Sequence, residues 1–564
     1  MSGRFSLGLD YGTSSVRALI VDVQDGKTVG EGVSAYRSGS DGVLIDKENP
    51  HLARQYPADY VEGFVESVRS AIEQAGRDRN FAPDRVIGIG VDTTGSSPMP
   101  VMRDTTPLAE VSGFEQDPDA CVWLWKDHTG HFEAGEITRI GRDLRPQYLD
   151  KIGGSYSSEW FWAKIWHCIN VNPAVYEKAF TWVEIADWIP AVLSGVKDAL
   201  EIRRGITAAG HKAMYNEEWG GYPDGDFLRQ LEPKLLKVRE TLPQRAHQVN
   251  EIAGYLTAEL AGKTGLSKGI PIAIGSFDAH FGGIGSGIEP GTLVKNIGTS
   301  CCDIMVAPIS EKLHDIPGLC GIVPGSVLPG YYGLEAGQSA IGDIHGWFAG
   351  LVSETNSRKK VFKQLEAEAA ELEPGESGLM ALDWMNGNRT VLVDQRLTGL
   401  FVGLTLHTTA AQMYKALLEA TAFGARIIAE RFESYGVKVE RVINCGGIPY
   451  KSPHLMQIYA DVFNREMELS RSTQTASLGS AIAGAVVAGP EAGGYPDYAA
   501  AVQRMTGVLE TRYTPIRKHV PVYNELFAIY RELHDAFGVE GHTAELYPLM
   551  KKLLEIRERS GGAE

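Results

Sequence analysis

Two short turns of glycine and hydroxyl residues in this 564-residue chain have the chemistry to bind phosphates. Residues 12–14 and residues 298–300 both read Gly-Thr-Ser, and apolar strands flank each turn. Backbone N–H groups and hydroxyls that converge in such turns bind anionic oxygens. One such turn is common in β-hairpins, but two in equivalent settings predict a nucleoside triphosphate held between them. The predicted phosphate-binding residues of the turns are Thr13, Ser14, Gly298, Thr299 and Ser300.

Charged residues flank the first turn. Asp10 ends the strand before it, and Arg17 lies in the strand after it. Mg²⁺ prefers carboxylate, water and phosphate oxygens, so Asp10 is the predicted metal-binding residue. Arg17 is predicted to contact the phosphates on the same side as the first turn.

The elements around the two turns also repeat. Apolar residues at helical spacing predict a helix over 57–76, and a strand follows from Arg85. The same order recurs at 409–436, which begins with the spacing of a capping box, and a strand follows from Arg441. This repetition predicts two mixed α/β lobes that face each other, with both hydroxyl-rich turns in the cleft between them.

A glycine-rich run at 282–291 interrupts the apolar periodicity between the two halves. It places the predicted domain boundary between residues 286 and 287, which gives an N-terminal domain at 1–286 and a C-terminal domain at 287–564. We expect the two lobes to close around their ligands, because an open cleft would let water hydrolyse the nucleotide. The same glycine run is the predicted hinge for that closure.

Composition excludes several classes of partner. The formal net charge is −17, whereas a nucleic-acid surface needs a basic footprint. The longest weakly polar stretch, residues 476–490, is shorter than the ~20 residues of a bilayer span and predicts a buried helix. Six cysteines without regular spacing predict free thiols in a reducing compartment. The predictions are therefore no nucleic acid, no membrane and a cytoplasmic location.

Longer segments resemble known families. The two turns and the loop INCGG at 443–447 resemble the phosphate and adenosine loops of the actin, Hsp70 and sugar-kinase superfamily. GSFDAHFGGIGSG at 275–287 resembles the catalytic-aspartate segment of the FGGY carbohydrate kinases, and residues 399–419 resemble their C-terminal signature. The resemblance implies two duplicated actin-like (ribonuclease H-like) ATPase domains. It also implies ATP and Mg²⁺ as cofactors and a sugar as the phosphoryl acceptor.

Five segments narrow the resemblance to family members that phosphorylate L-ribulose. These segments are GVDTTGSSPMP (90–100), LWKDHT (124–129), GGSYSSEWFWAKIW (153–166), RRGITAAGHK (203–212) and GLEAGQSAIGD (333–343). The implied product is L-ribulose 5-phosphate, formed in L-arabinose breakdown. Two alternatives stay open, namely an FGGY kinase for D-ribulose, ribitol or xylulose, and a non-catalytic nucleotide switch of the actin or chaperone kind.

Asp278 is the candidate general base. It follows the apolar strand IPIAIGS and precedes the glycine run, so its carboxylate is expected at a strand end that opens into the cleft. A carboxylate there could take the proton from an attacking sugar hydroxyl. A helix-capping role is the alternative, and the family resemblance favours the catalytic one.

The resemblance also implies sugar contacts. The residues are Thr94, Ser96, Trp125, Lys212 and Glu335, together with Asp278. An indole face such as that of Trp125 packs on sugar C–H groups. The alternatives are a core tryptophan for Trp125, a solvated lysine for Lys212 and a first-turn helix acid for Glu335.

Three further glycines are implied as nucleotide contacts. Gly446 and Gly447 let the backbone approach the adenosine, and Gly342 resembles the residue at which a helix of the second lobe touches the nucleotide. A plain tight turn is the alternative at Gly446 and Gly447. A homodimer is compatible with the resemblance, although the sequence does not fix the oligomeric state.

Overall fold

The structure is a computed structural model that describes residues 3–311, 313–353 and 358–561. The strands are β1 (Phe5–Tyr11), β2 (Ser15–Asp22), β3 (Thr28–Ala35), β4 (Leu44–Ile45), β5 (Ala53–Gln55), β6 (Val86–Thr93), β7 (Pro98–Val101), β8 (Val122–Trp123), β9 (Thr181–Glu184), β10 (Ile252–Tyr255), β11 (Pro271–Ala273), β12 (Ser276–Phe277), β13 (Thr292–Ile297), β14 (Cys301–Pro308), β15 (Gly321–Pro324), β16 (Tyr331–Gln338), β17 (Met380–Leu382), β18 (Leu400–Val402), β19 (Arg441–Cys445), β20 (Met467–Ser470) and β21 (Val508–Tyr513). The α-helices are α1 (Ala58–Ala75), α2 (His131–Leu144), α3 (Pro146–Asp150), α4 (Phe161–Val171), α5 (Pro173–Lys178), α6 (Ile185–Ser194), α7 (Ile206–Lys212), α8 (Gly225–Leu231), α9 (Leu235–Arg239), α10 (Ala258–Thr264), α11 (Asp278–Ser286), α12 (Gly342–Leu351), α13 (Arg358–Ala370), α14 (Ala410–Ser434), α15 (Pro453–Phe463), α16 (Thr475–Ala488), α17 (Tyr498–Met505), α18 (Val520–Gly538) and α19 (Leu549–Arg559). Within the described ranges, no helix is both long and apolar enough to cross a bilayer.

Two seven-stranded mixed sheets form the framework, and six strands of each follow the same order and pairing. The first has the order β10-β11-β6-β1-β2-β3 with β12 beside β6, and the second has the order β15-β16-β14-β13-β19-β20-β21. In the first sheet β1 pairs antiparallel with β2 and parallel with β6. In the second sheet β13 pairs antiparallel with β14 and parallel with β19. The predicted duplication is confirmed, and the glycine-hydroxyl turns are the equivalent hairpin loops.

The two helices predicted from apolar spacing are also present. The helix predicted over 57–76 is α1, which buries Phe64 and Val68 and packs against β2 and β3. The helix predicted over 409–436 is α14. The Thr409 side chain accepts from the Gln412 N–H, and the Gln412 side chain accepts from the Thr409 N–H. This capping box satisfies backbone donors that the first turn of a helix leaves free.

Helix α16 joins the two halves of the chain. It lies in the second half of the sequence, but it packs on β1 and β6 of the first sheet and on α11. The Ser480 hydroxyl donates to Asp92 at 2.6 Å, and the Ser6 hydroxyl donates to the Ala481 carbonyl at 2.6 Å. The buried helix that the sequence predicts at 476–490 is confirmed, whereas its position on the first sheet had no signal in the sequence.

The predicted hinge segment is partly helical. Residues 282–286 are the last turns of α11, which packs against α16, and Gly287 ends the helix with a φ of +91°. Only the residues after Gly287 connect the two sheets as irregular backbone. The boundary between residues 286 and 287 and the role of this segment as a hinge stay predictions.

Gly90 allows the close contact between β6 and α16, and alanine there should destabilise the fold. A Cβ atom at Gly90 would lie 1.8 Å from the Ser480 carbonyl oxygen, so the helix would have to move. We expect a loss of about 2–3 kcal/mol in the free energy of unfolding, as for other overpacked cores. Denaturant or thermal unfolding measures it.

The matched control is Gly135→Ala in α2. Gly135 is exposed, and among the described residues no atom lies within 4 Å of the added Cβ. That variant should gain about 0.5–1 kcal/mol from the better helix propensity of alanine. Equal unfolding of the Gly90→Ala variant and the wild type would contradict the packing argument.

Candidate active site

A cavity of about 240 Å³ lies between the two sheets and takes its lining from both halves of the chain. The lining residues are Thr13, Thr94, Gly95, Trp125, Lys212, Phe277, Asp278, Ala279, His280, Asn296, Gly298, Thr299, Ser300, Cys302, Glu335 and Arg389. Nine of them are residues that the sequence analysis selected, namely Thr13, Thr94, Trp125, Lys212, Asp278, Gly298, Thr299, Ser300 and Glu335. Both glycine-hydroxyl turns therefore reach one cavity, together with the candidate base.

A backbone hydrogen bond from the glycine closes each turn, to the third residue along the chain in the first turn and to the second residue in the other. The Gly12 N–H donates to the Ser15 carbonyl at 3.0 Å, and the Gly298 N–H donates to the Ser300 carbonyl at 2.8 Å. The indole N–H of Trp125 donates to the Thr13 hydroxyl at 3.1 Å, which ties the ring to the first turn. An aromatic face and a phosphate-type turn are thus neighbours in the first lobe.

Asp278 is the first residue of α11 and directly follows β12. Its Oδ1 accepts a hydrogen bond from the Ala279 N–H at 2.6 Å. Burial and, to a smaller extent, the Asp10 carboxylate raise the pKa of Asp278 to about 7. A carboxylate with a pKa near neutrality is well suited to accept a proton at physiological pH.

Three carboxyl groups meet near the first turn. The parallel pairing of β1 with β6 places Asp10 opposite Asp92, and Arg17 lies 3.9 Å from Asp10. Burial raises the pKa of Asp92, and the nearby carboxylates of Asp10 and Asp278 raise it further. The Oδ1 atom of Asp92 has no hydrogen-bond partner within the part of the chain that the structure describes. Carboxyl groups so close to a phosphate-type turn fit a hydrated divalent cation, which would stabilise their charged forms.

Lys212 and Glu335 form an ion pair across the cleft. Lys212 ends α7 in the first lobe, Glu335 lies in β16 of the second, and the ammonium is 2.9 Å from Oε1. Both side chains are buried. Burial alone would raise the pKa of Glu335, but the Lys212 ammonium lowers it well below its usual value. The alternatives of a solvated lysine and a helix acid are therefore wrong.

Two histidines lie behind this ion pair. His280 follows Asp278 by two residues, and the His211 ring packs against it with ring centroids 4.6 Å apart. His211 is hydrogen-bonded to the Ser326 hydroxyl at 2.9 Å, and its Nδ1 is 3.4 Å from a Glu335 oxygen. Burial lowers the pKa of both rings, to about 4 for His280. Both imidazoles are therefore neutral at physiological pH.

Two buried charged side chains, Lys164 and Glu184, hold the loop after β6 in place. The Lys164 ammonium donates to the carbonyls of Ser96 and Leu124 at 2.7 and 2.8 Å. Glu184 accepts from the Ser97 N–H at 2.6 Å and from the Ser96 hydroxyl. The Ser96 side chain is therefore fully buried beneath the loop and does not line the cavity, unlike the expectation from the sequence.

The predicted nucleotide glycines surround the second turn, outside the cavity. The Gly342 N–H donates to the Gly298 carbonyl at 3.1 Å, so α12 begins on the turn. Gly446 has a φ of +87°, and a Cβ atom there would lie 2.5 Å from the Ile297 carbonyl oxygen. Gly447 is exposed next to it. Only glycine allows the loop this close approach.

A second, larger cavity of about 1500 Å³ lies on the far side of this turn, between α12, α13 and the start of α15. Trp347 and Phe362 supply aromatic surface, and Lys451 and Asp343 supply charges. The Asp343 N–H donates to the Thr299 carbonyl at 3.2 Å, so one turn of backbone separates the two cavities. This arrangement can hold a flat base in one cavity and phosphates at the turn.

Sequence reasoning missed several lining residues. His280 stands inside the segment 275–287 and Cys302 follows the second turn, but nothing in their spacing indicated that they face a cavity. Arg389 comes from an irregular segment after β17, where no periodicity exists to guide a prediction. Its guanidinium lies 3.8 Å from Glu159 of the first lobe, a second charge contact across the cleft.

Comparison with family models covers most of the chain. Residues 5–285 match the N-terminal domain of the FGGY family of carbohydrate kinases, and residues 293–488 match the C-terminal domain of that family. The matched ranges contain every residue selected above for the cavity and for the surroundings of the second turn.

Similar proteins are found at the level of both sequence and structure. A ribulokinase from Shouchella clausii is 40% identical over 99% of each chain, and a ribulokinase from Mycolicibacterium smegmatis is 38% identical over 100% of this chain and 99% of its own. A xylulose kinase from Rhodospirillum rubrum superposes with a TM-score of 0.75 at 22% identity over 97% of this chain and 100% of its own. A Plasmodium falciparum glycerol kinase solved with ADP gives a TM-score of 0.72 at 16% identity over 94% of this chain and 98% of its own.

Proposed function

Because the chain belongs to the FGGY family of carbohydrate kinases, we propose that it transfers the γ-phosphoryl group of ATP to the terminal hydroxyl of L-ribulose. The full-length identity to ribulokinases supports this choice of sugar. One observation carries the proposal, namely that Thr13 and Thr299 of the two turns line the same cavity as Asp278. A nucleotide switch without an acceptor would not need such a cavity.

Asp278 is the proposed general base. Its carboxylate accepts the proton of the attacking hydroxyl as the oxygen approaches the γ-phosphorus, and the O–P bond to ADP breaks. The Ala279 N–H holds one carboxylate oxygen at 2.6 Å and leaves the other for the sugar. Phosphoryl transfer depends mainly on positioning and charge neutralisation, so this fixed orientation matters as much as basicity.

The sugar is proposed to lie between Trp125, Lys212 and Glu335. The Trp125 ring offers an apolar face for the carbon chain, and Lys212 and Glu335 offer a donor and an acceptor for hydroxyl or carbonyl oxygens. Thr94 adds a hydroxyl at the end of β6. Because these groups come from both lobes, a bound sugar would hold the lobes together.

The phosphates are proposed to lie between the two turns. Thr13, Ser14 and Arg17 contact them on one side, and the backbone and hydroxyls of residues 298–300 contact them on the other. Asp10 is the proposed holder of hydrated Mg²⁺, whose charge neutralises the oxygens of the transferred phosphoryl group. The acidic surroundings of Asp10 support this assignment.

The adenosine is proposed to occupy the larger cavity beyond the second turn. Trp347 and Phe362 of its lining offer aromatic faces to the base, and Lys451 of its lining adds a positive charge. Gly342 directly precedes Asp343 of the lining, and Gly342, Gly446 and Gly447 are the proposed backbone contacts of the nucleotide. Asp343 connects the two proposed sites, because it lines this cavity and its N–H donates to the carbonyl of Thr299 in the second turn.

The test is a sugar panel with ADP release as the readout. We expect L-ribulose to give the highest kcat/KM, ahead of D-ribulose, xylulose and ribitol, and ³¹P spectra to identify a primary phosphate ester as the product. ADP release without any sugar dependence would contradict the proposal. A preference for ribitol would show that L-ribulose is not the preferred acceptor, while the proposed phosphoryl transfer would stand.

Two sequence predictions remain predictions. They are the cytoplasmic location and a homodimer. The domain boundary between residues 286 and 287 is likewise proposed, with the sugar assigned mainly to residues 1–286 and the nucleotide mainly to residues 287–564.

A further inference from the structure

The cavity contains a histidine that the proposed reaction does not use. His280 lies in the first turn of α11 and is 1% exposed. Neither of its ring nitrogens has a hydrogen-bond partner among the residues that the structure describes. Leaving a buried polar atom unpaired is costly, so a ligand that pairs with this ring would gain affinity by removing that cost.

The neighbours of His280 restrict what it can bind. Its Nε2 is 3.7 Å from a Glu335 oxygen, which is too long for a hydrogen bond, and Glu335 is already paired with Lys212. Burial lowers the pKa of the ring to about 4, although Glu335 opposes this effect. A neutral imidazole has one donor and one acceptor, which matches an uncharged hydroxyl or carbonyl oxygen.

We infer that His280 hydrogen-bonds an oxygen of the acceptor sugar and contributes to selection among pentuloses, an inference that rests on the proposed function. Lys212, Glu335 and His280 all line the cavity, and the Glu335 carboxylate is 2.9 Å from the Lys212 ammonium and 3.7 Å from the His280 Nε2. The three groups are a cation, an anion and a neutral ring. A site built to pair with a hydroxyl rejects isomers that leave its buried groups unpaired.

A metal ion is the competing ligand for His280 and Glu335. His211, His280 and Glu335 bring three ligand atoms within 4.8 Å of one another. However, the Lys212 ammonium lies 2.9 Å from Glu335, and its positive charge opposes a second cation there. The geometry therefore favours a sugar oxygen over a metal ion.

The experiment compares wild type with His280→Phe and His280→Asn. The Phe variant keeps a ring of similar size without polar atoms, and Asn keeps one donor and one acceptor. We expect His280→Phe to raise KM for L-ribulose about tenfold. KM for ATP should stay unchanged, and kcat should stay within about threefold. The ratio of kcat/KM for L-ribulose over D-ribulose should shrink, and His280→Asn should be intermediate.

The matched control is His534→Phe in α18. His534 is also buried, its ring packs on Trp384, and its Nε2 lacks a hydrogen-bond partner within the described ranges. This variant should change stability without changing KM or the sugar ratio. It separates the loss of a buried imidazole from the loss of a sugar contact.

The possible failures are distinguishable. A wild type that phosphorylates no pentulose would refute the proposed function, whatever the variants do. A wild type active on L-ribulose, with His280→Phe unchanged in KM and sugar ratio, would refute the role of His280 alone. If the Phe variant does not fold, His280→Asn decides by the same criteria. Stoichiometric zinc in purified wild type that is lost in His280→Asn would also overturn the inference.

Discussion

Asparagine in place of Asp278 should lower kcat for L-ribulose by about 10³-fold, within the 10²- to 10⁴-fold range of general-base catalysis. The substitution keeps the shape of the side chain, and its amide oxygen can still accept from the Ala279 N–H. It therefore keeps the orientation of the residue and removes its basicity. Initial rates of ADP release at saturating sugar and ATP measure the loss.

Binding of ATP and stability serve as the controls for this variant. The amide that replaces the carboxylate adds no charge near the phosphates, so the dissociation constant for ATP should not rise. Asp187→Asn is a matched substitution, because Asp187 is buried, has a pKa raised to about 7 by burial, and lies outside the cavity. That variant should lose stability but keep kcat within about tenfold. Equal turnover by the Asp278→Asn variant and wild type would remove Asp278 from the mechanism.

The pH profile gives an independent readout of the same group. Burial and the Asp10 carboxylate raise the pKa of Asp278 from 3.8 to about 7. The base must be deprotonated, so kcat/KM should fall tenfold per pH unit below that pKa and level off above it. A cation bound at Asp10 would offset the effect of the Asp10 carboxylate on Asp278. The apparent pKa of the falling part of the profile should therefore lie between 3.8 and about 7. The residual activity of the Asp278→Asn variant should lack this limb.

Local patterns explain why much of the fold was predictable. The helical spacing of apolar residues predicted α1 and α14. The hydroxyl-rich turns between apolar segments predicted the hairpins β1–β2 and β13–β14. A capping box needs only four consecutive residues, so Thr409 could be assigned without any tertiary information. The repetition of these local signals also predicted the duplicated sheets.

Contacts between distant segments were not predictable in this way. Nothing in the apolar period of α16 says that the helix packs on β6, because a uniformly buried helix has no preferred face. The ion pair of Lys212 with Glu335 joins residues 123 positions apart. The Ser96 hydroxyl illustrates the same limit, since only the position of Glu184 decides that it turns away from the cavity.

The ion pair between Lys212 and Glu335 leads to the second large expected effect. We expect Lys212→Met to lower kcat/KM for L-ribulose by about 10²- to 10³-fold, or about 3–4 kcal/mol. Truncating one partner of a buried charge pair at a binding site costs about 2–5 kcal/mol. The Glu335 carboxylate would lose the cation that keeps its pKa low, while its burial would remain. Its pKa would therefore rise, and the protonated carboxyl would donate a hydrogen bond where the sugar site needs an acceptor.

Most of that loss should be in KM, because the ion pair contacts the sugar in the ground state as well as in the transition state. Lys295→Met is the matched control, since Lys295 pairs with Asp303 at 2.6 Å and both side chains are fully buried away from the cavity. It should reduce stability while KM for L-ribulose stays within about threefold. Steady-state kinetics and thermal unfolding of both variants separate the two effects.

A double-mutant cycle decides whether the two charges act as a unit. Glu335→Gln alone should resemble Lys212→Met, because it leaves a buried ammonium without its counter-ion. The double variant has no uncompensated buried charge, so its loss in kcat/KM should be smaller than the sum of the two single losses. Because the residues belong to opposite lobes, this coupling would also report contact between the lobes in the sugar complex. Additive losses would mean that Lys212 and Glu335 contact the sugar independently. They would also mean that the ion pair does not exist in the enzyme with bound sugar and nucleotide.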